Sequence, residues 1–332
     1  MTTAESPLLP GTQLDHYQLE EIVATTRRAV VFRAIDSLTG QQVAIKVPHA
    51  DTQSDPTLAD RFQREEEIGI KLDYPGIMKI YSNPNRSRVY MVMEWLDGRR
   101  LGQILKDEPK LPPNRAMKLA VGLCNALEYA HANGVVHRDL GPDKIMVDAE
   151  DNVKIFDFGF AAITGARRLT FANLSASLGT PDYISPEQVG GARGDARSDI
   201  YSAGVILYEM LTGAKPFSGA NAFAIMNDRL LRDPVPPRTV NPQISPQLQT
   251  IILHALEREP KNRYASARAF AHDLRHPEQV EVSEPHAVSS NVLPIRKNED
   301  KKPKSNRTLI YIVIAIVPLL IFGLLFLMSR GH

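Results

Sequence analysis

Between His137 and Gly159 the chain reads HRDLGPDKIMVDAEDNVKIFDFG, and no other stretch restricts its fold so tightly. Two acidic signatures, His-Arg-Asp and Asp-Phe-Gly, flank two β-rich segments, 144–147 and 153–156, joined by the polar turn 148–152. A hairpin of this kind brings Asp139 and Asp157 to the mouth of one sheet. One carboxylate is then placed to take a proton from an attacking hydroxyl while the other holds a metal ion against a nucleotide's phosphates. Either triplet alone is common by chance; the ordered pair across such a hairpin is not.

Upstream, residues 17–47 alternate and turn at Thr39-Gly40, which predicts three antiparallel strands. The third carries Val43-Ala44-Ile45-Lys46, and a charged amphipathic helix over 58–71 contains Arg64-Glu65-Glu66-Glu67. Two further strands are expected around 76–81 and 88–93. Downstream, helical spacing over 113–131 predicts a buried helix, with Gly134 after its end. Segment 160–178 lacks periodicity and leads into Gly179-Thr180-Pro181-Asp182-Tyr183-Ile184-Ser185-Pro186-Glu187. A strongly apolar helix then opens at Arg197-Ser198-Asp199-Ile200-Tyr201 and stops at Gly213.

With these motifs in this order, the chain resembles a eukaryotic-type (Hanks-type) Ser/Thr protein kinase of the bacterial membrane-anchored kind, over about residues 17–275. The resemblance implies an α+β, bilobal fold: a small β-rich N-lobe, about 17–93, and a large helical C-lobe, about 98–275, after a tail at 1–16. It also implies ATP, Mg²⁺ and protein substrates. Lys46 matches the lysine on the α- and β-phosphates and Glu65 its helix partner, with Glu66 or Glu67 as alternatives if the helix phase is off by one. Asp139 matches the catalytic aspartate and Asp157 the metal-holding one. Ala24, Val31, Ala44 and Met146 match residues around the nucleotide, Met93 the gatekeeper, and the backbone of Glu94 and Leu96 the adenine-reading edge. Asp199 matches the aspartate that clamps the His-Arg-Asp backbone, and Arg263 the arginine that pairs with Glu187. Thr170, Ser175 and Ser177 are candidate phosphorylation sites, with Arg138 the residue such a phosphate would pair with. Taken singly, each has a plainer reading as a core apolar residue, a strand lysine, a helix N-terminal carboxylate or a solvated hydroxyl.

Three departures from the family pattern bear on chemistry. The Gly-rich loop aligns with Ala24-Thr25-Thr26-Arg27-Arg28-Ala29-Val30-Val31, and every glycine is gone. Glycines let backbone N–H groups approach phosphate, and the β-branched Thr26 is the least suitable replacement. The catalytic-loop lysine is Gly141, and the asparagine of the second Mg²⁺ is Lys144. Lys144 either supplies the missing charge with its ammonium or pairs with Asp139 or Asp157 and silences the site. Arg27 and Arg28 either touch phosphates by side chain or form a solvated hairpin tip.

Residues 276–308 turn polar and aperiodic, a linker, and 309–328 is an uncharged apolar run, LIYIVIAIVPLLIFGLLFLM. About 20 residues at 1.5 Å rise span roughly 30 Å, the thickness of a bilayer's hydrocarbon core. Arg296, Lys297, Lys301, Lys302, Lys304 and Arg307 precede the run and only Arg330 follows it, within the short outer tail 329–332. A single-pass anchor in the cell membrane, with the kinase-like domain cytoplasmic, is expected. The net charge of +1 argues against nucleic acid, and Cys124 alone excludes internal disulfides. Dimerisation is not readable. Two functions stay open: a membrane-anchored kinase with unusual metal use, and a pseudokinase that serves as a nucleotide-binding or protein-docking scaffold.

Overall fold

The computed structural model describes residues 8–163 and 181–282. Thr170, Ser175 and Ser177, most of the linker and the apolar run 309–328 lie outside the described residues. Among the described residues, no helix is long and apolar enough to cross a membrane.

The N-terminal part is a six-stranded antiparallel sheet in the order β1-β2-β3-β4-β6-β5. Its strands are β1 (Gln13–Leu14), β2 (Tyr17–Thr25), β3 (Ala29–Asp36), β4 (Gln42–Pro48), β5 (Ile80–Tyr81) and β6 (Met91–Glu94). Strand alternation gives the sheet two apolar faces. Leu19, Phe32, Ala34, Ile45 and Val92 pack in one cluster. Ala44, Met91 and Met93 pack with Phe62 and Ile80 in another. The expected tail at 1–16 needs correction: Leu14 is buried and pairs with Tyr17, so the folded part begins earlier.

Behind the second cluster runs α2 (Pro56–Lys71), after the short α1 (Ala50–Ser54). Asp55 caps α2 by accepting from the Thr57 and Leu58 N–H groups at 2.8 and 3.2 Å, and Pro56 stands at the first turn. The helix buries Phe62, Glu65, Glu66, Ile68 and Gly69. A Cβ at Gly69 would collide with Ile80, so the helix crosses the sheet at a distance only glycine allows.

The helical part is built on α6 (Ala196–Thr212), which is buried over nearly its whole length. It packs against α4 (Pro113–Ala132) and α9 (Pro246–Ala255), and α10 (Ala267–Arg275) lies on α4. Gly213 ends α6 at φ 70°, the left-handed conformation that glycine adopts without cost. Strands β9 (Ile145–Val147) and β10 (Val153–Ile155) pair antiparallel, Val147 opposite Val153, and β7 (Arg99–Arg100) adds to β9. Backbone bonds join the two parts: Ile155 N–H donates to Gly76 O and Met78 N–H to Ile155 O, both at 2.9 Å.

Candidate active site

The β9–β10 hairpin carries Lys144 at its entry and Asp157 just past its exit, while Asp139 precedes it by one loop. Asp157 and Arg138 both take the left-handed conformation, at φ 66° and 68°. Such backbone costs about 1–3 kcal/mol per non-glycine residue and persists only where the surroundings enforce it. Here the enforcement comes from below. Asp199, wholly buried on α6, accepts from the N–H groups of His137 and Arg138 at 2.8 Å each. His131 Nε2 lies 2.8 Å from the same carboxylate, which can only accept, so this nitrogen is the donor. Burial works against the Asp199 charge, but these donors outweigh it and hold its pKa below the usual carboxylate range.

From above comes β4. Lys46 Nζ donates to both oxygens of Glu65 at 2.7 Å, so the helix phase is the expected one. The two alternatives are engaged elsewhere: Glu66 pairs with Arg86, and Glu67 accepts from Gln63 at 2.8 Å. Burial opposes the Lys46 ammonium, yet Glu65 and Asp157 raise its pKa above the ordinary lysine value. The Lys46–Glu65 pair and Asp157 meet at Gly159. A Cβ built there would stand 3.6 Å from Asp157 Oδ1 and 3.7 Å from Glu65 Oε2.

Lys144 is the centre of the cluster. Its ammonium bonds Asp139 Oδ2 and lies 3.4 Å from Asp157 Oδ2. Burial would neutralise it, but Asp157 and then Asp139 hold its pKa above the ordinary lysine value. Burial would likewise raise Asp157, and the ammonium groups of Lys144 and Lys46 instead push it far below the carboxylate range. The site thus holds two carboxylates, Asp139 and Asp157, bridged by one ammonium group.

The nucleotide-side residues are partly assembled. Val31, Ala44 and Met93 pack in one cluster, with Ala44 opposite Met93 in the sheet register. Ala24 stands opposite Val31 on β2. Met146 is half-buried on β9 and not part of that cluster, and Leu96 is half-buried just after β6. Glu94 uses its backbone N–H on Lys79 O at 3.0 Å, and its side chain accepts from Lys154 at 2.7 and 2.9 Å. Its carboxylate therefore ties β6 to β10.

The glycine-free hairpin is closed by the residue expected to fit worst. Thr26 Oγ1 accepts from the N–H groups of Arg28 and Ala29 at 3.3 and 3.0 Å and donates to Ala29 O at 2.9 Å. No residue of this turn needs positive φ, so the absence of glycine costs no backbone strain. Arg27 is exposed, whereas the Arg28 guanidinium turns toward Phe160.

The block at 181–187 is held by side chains that sequence reasoning did not single out. Arg229 of α7 (Ala222–Leu231), 1 % exposed, donates to the carbonyls of Asp182 and Ile184 at 2.6 and 2.7 Å. Ser202 donates to Tyr183 O, Lys215 pairs with Asp182 and Tyr183 donates to Glu209. Arg263, by contrast, is expected from the resemblance: its fully buried side chain bonds both oxygens of Glu187 at 2.6 and 2.9 Å. Arg229 gave no signal, since one arginine in a short helix is ordinary.

A protein kinase domain model matches residues 17–274. The chain belongs to the protein kinase domain family. A probable serine/threonine-protein kinase of Streptomyces coelicolor is 38 % identical over 263 residues, covering 78 % of this chain and 39 % of the relative. Serine/threonine-protein kinase PknB of Mycobacterium tuberculosis is 37 % identical over 270 residues, 80 % of this chain and 43 % of the relative. The chain therefore spans about two fifths of the length of the curated relatives it matches. The crystal structure of the Mycobacterium tuberculosis PknI kinase domain superposes with a TM-score of 0.63 at 22 % identity, covering 82 % of this chain and all of that one, which establishes the bilobal fold.

For a divalent ion, the cleft offers the carboxylate of Asp157. Among the described residues no three His, Cys, Asp or Glu side chains converge on a metal-sized site. Mg²⁺ suits such a place, because it is commonly held by one or two carboxylates while phosphates and water supply the rest. Asp157 offers an ionised carboxylate, whereas Lys144, as a cation with no lone pair, cannot be a ligand.

Proposed function

We propose that the chain is a membrane-anchored serine/threonine protein kinase that transfers the γ-phosphate of ATP to protein hydroxyls. One observation carries this reading: the bidentate Lys46–Glu65 pair at 2.7 Å sits beside Asp157, whose carboxylate Lys144 links to Asp139. Asp139 orients the substrate hydroxyl and takes its proton. Lys46, steadied by Glu65, neutralises the α- and β-phosphates, and Asp157 holds the metal. Mg²⁺, when bound, offsets charge on the β- and γ-phosphate oxygens. Lys144 supplies the charge that a lysine at 141 and a second metal would otherwise bring. The named serine/threonine kinases among the relatives support the same substrate class.

Lys144 also favours a second reading. An ammonium bonded to the catalytic carboxylate leaves it less able to accept a proton, and the chain would then be a pseudokinase that binds nucleotide or partners without turnover. Two variants decide between them. If Lys144 takes part in transfer, Lys144→Ala lowers turnover tenfold or more and Lys144→Asn restores a second-metal response. If it silences the site, both variants raise turnover. If neither changes transfer, Lys144 has no catalytic part. Nucleotide binding is read separately, as thermal stabilisation of the full chain by ATP with and without Mg²⁺. Saturation at 100 times Kd adds about 2.7 kcal/mol.

The membrane part of the reading rests on the uncharged run 309–328 and the six basic residues before it. Deleting 309–328 should release the protein from alkali-washed membranes. Retention after that deletion would remove the anchor from the account.

A further inference from the structure

The phosphate-facing lip of the cleft poses a supply problem. In a hairpin that cradles phosphate, free backbone N–H groups do the work. Here they are spent within the turn. Thr26 N–H donates to Ala29 O at 2.9 Å, and the N–H groups of Arg28 and Ala29 go to Thr26 Oγ1. The tip is also fastened from behind, because Arg28 O accepts from His49 N–H at 2.9 Å and from Thr52 Oγ1 at 2.8 Å. A phosphate entering under this lip meets few backbone donors.

It meets guanidinium groups. Phe160, directly after Asp157-Phe158-Gly159, is surrounded by three cations. The Arg61 guanidinium carbon lies 4.3 Å from its ring centroid, Lys144 Nζ 5.5 Å and the Arg28 guanidinium carbon 5.7 Å. An aromatic face repays each cation by about 0.5–2 kcal/mol, too little to explain drawing two guanidinium groups to a ring that already faces Lys144, whose own charge is met by Asp139 and Asp157. Arg61 Nη1 is buried and has no hydrogen-bond partner among the described residues. Neither Arg61 nor Arg28 has a carboxylate within ion-pair distance among the described residues, in contrast to Lys46 and Lys144. Burial and then Arg28 lower the Arg61 pKa from the ordinary arginine value, while Asp139 and Asp55 act the other way. Arg61 lies four residues before Glu65 on α2, hence on the helix face that turns toward the cleft.

We propose that Arg28 and Arg61 form a side-chain cradle for the terminal phosphates of a nucleoside triphosphate, replacing the N–H groups that the Thr26 turn consumes. Guanidinium forks suit this task, since each offers paired donors to phosphate oxygens and stays charged when partly buried. Phe160 positions them by stacking, and Lys144 closes the cradle on the side of the carboxylates. The proposal rests on the kinase reading for the identity of the anion, though not for its charge.

The test is nucleotide affinity of the full chain, measured by calorimetric titration with ATP, ADP and adenosine, for wild type, Arg28→Gln, Arg61→Gln and the double variant. Expected are a tenfold or greater loss of ATP affinity in each single variant, a larger loss in the double and unchanged adenosine affinity. The ATP affinity of wild type should also fall more steeply with salt than that of the double variant. Arg61→Lys, which keeps the charge and loses the fork, should recover part of the loss and covers the case that Arg61→Gln does not fold. Equal ATP affinity in wild type and the double variant overturns the cradle while leaving the kinase reading intact. Equal ATP and adenosine affinity in wild type overturns both. Loss of stabilisation by inorganic phosphate alone, with ATP binding untouched, overturns the nucleotide assignment and points to a covalent phosphate on the chain.

Discussion

The catalytic loop is built to different standards on its two faces. Beneath it, Asp199, His131, Glu187 and Arg263 form a buried hydrogen-bonded frame in which every expected partner is met. On the side facing phosphate, glycines, a lysine and an asparagine give way to Thr26, Gly141 and Lys144. The frame holds backbone in a strained shape; the phosphate face handles charge. The contrast teaches that holding the loop's shape and handling phosphate charge are separable. Under the proposed reading, the geometry is kept while side-chain cations take over part of the neutralisation of phosphate.

The largest effect expected is at the frame. Asp199→Asn places an amide against two backbone donors and His131, and should cost about 3–5 kcal/mol, read as a lowered urea midpoint with an unchanged m-value. A shift below 1 kcal/mol would mean that the loop holds its left-handed turn without the clamp.

The Glu187–Arg263 pair should show itself through pH. Burial opposes the Glu187 charge, but hydrogen bonds from Arg263 and Ser198 outweigh it and hold its pKa below the usual range. A carboxyl with a depressed folded pKa adds stability above its unfolded value, near 4.3, and that stability is lost as pH falls through the folded value. Thermal stability should therefore drop below about pH 4.5, and Glu187→Gln should flatten that part of the curve at a cost on the order of 1–3 kcal/mol at neutral pH. An unchanged acid limb in the variant would sever the link.

The smallest effect belongs to Gly141, on the phosphate side of the catalytic loop. Gly141 has an extended backbone, and a Cβ there would touch Tyr183 at 3.4 Å, an ordinary contact. Gly141→Lys should leave stability within about 0.5 kcal/mol while strengthening ATP binding. Marked destabilisation would show that glycine at 141 serves the fold.

How much of this was legible beforehand divides along the same line. The family resemblance gave the Lys46–Glu65 pair, the Asp199 clamp and the Glu187–Arg263 pair, because its motifs match particular positions of this chain, whereas periodicity gave only the strands and helices that carry them. Two contacts needed coordinates. Arg229 reaches carbonyls, which leave no mark in a sequence, and Thr26 closes its turn with a hydroxyl that looked like an obstacle. Arg61 could have been found, since its four-residue spacing from Glu65 puts both on one helix face. The strand at 13–14 was missed because two residues carry no period.

The central claim is that Asp139 and Asp157 still serve phosphate transfer despite the lysine between them. It is tested most directly by transfer of labelled γ-phosphate from ATP to a protein acceptor, with wild type and Asp139→Asn side by side in the presence of Mg²⁺. The account predicts transfer by wild type and a loss of two orders of magnitude or more in the variant. ATP binding without any Asp139-dependent transfer would contradict it and leave the pseudokinase reading in its place.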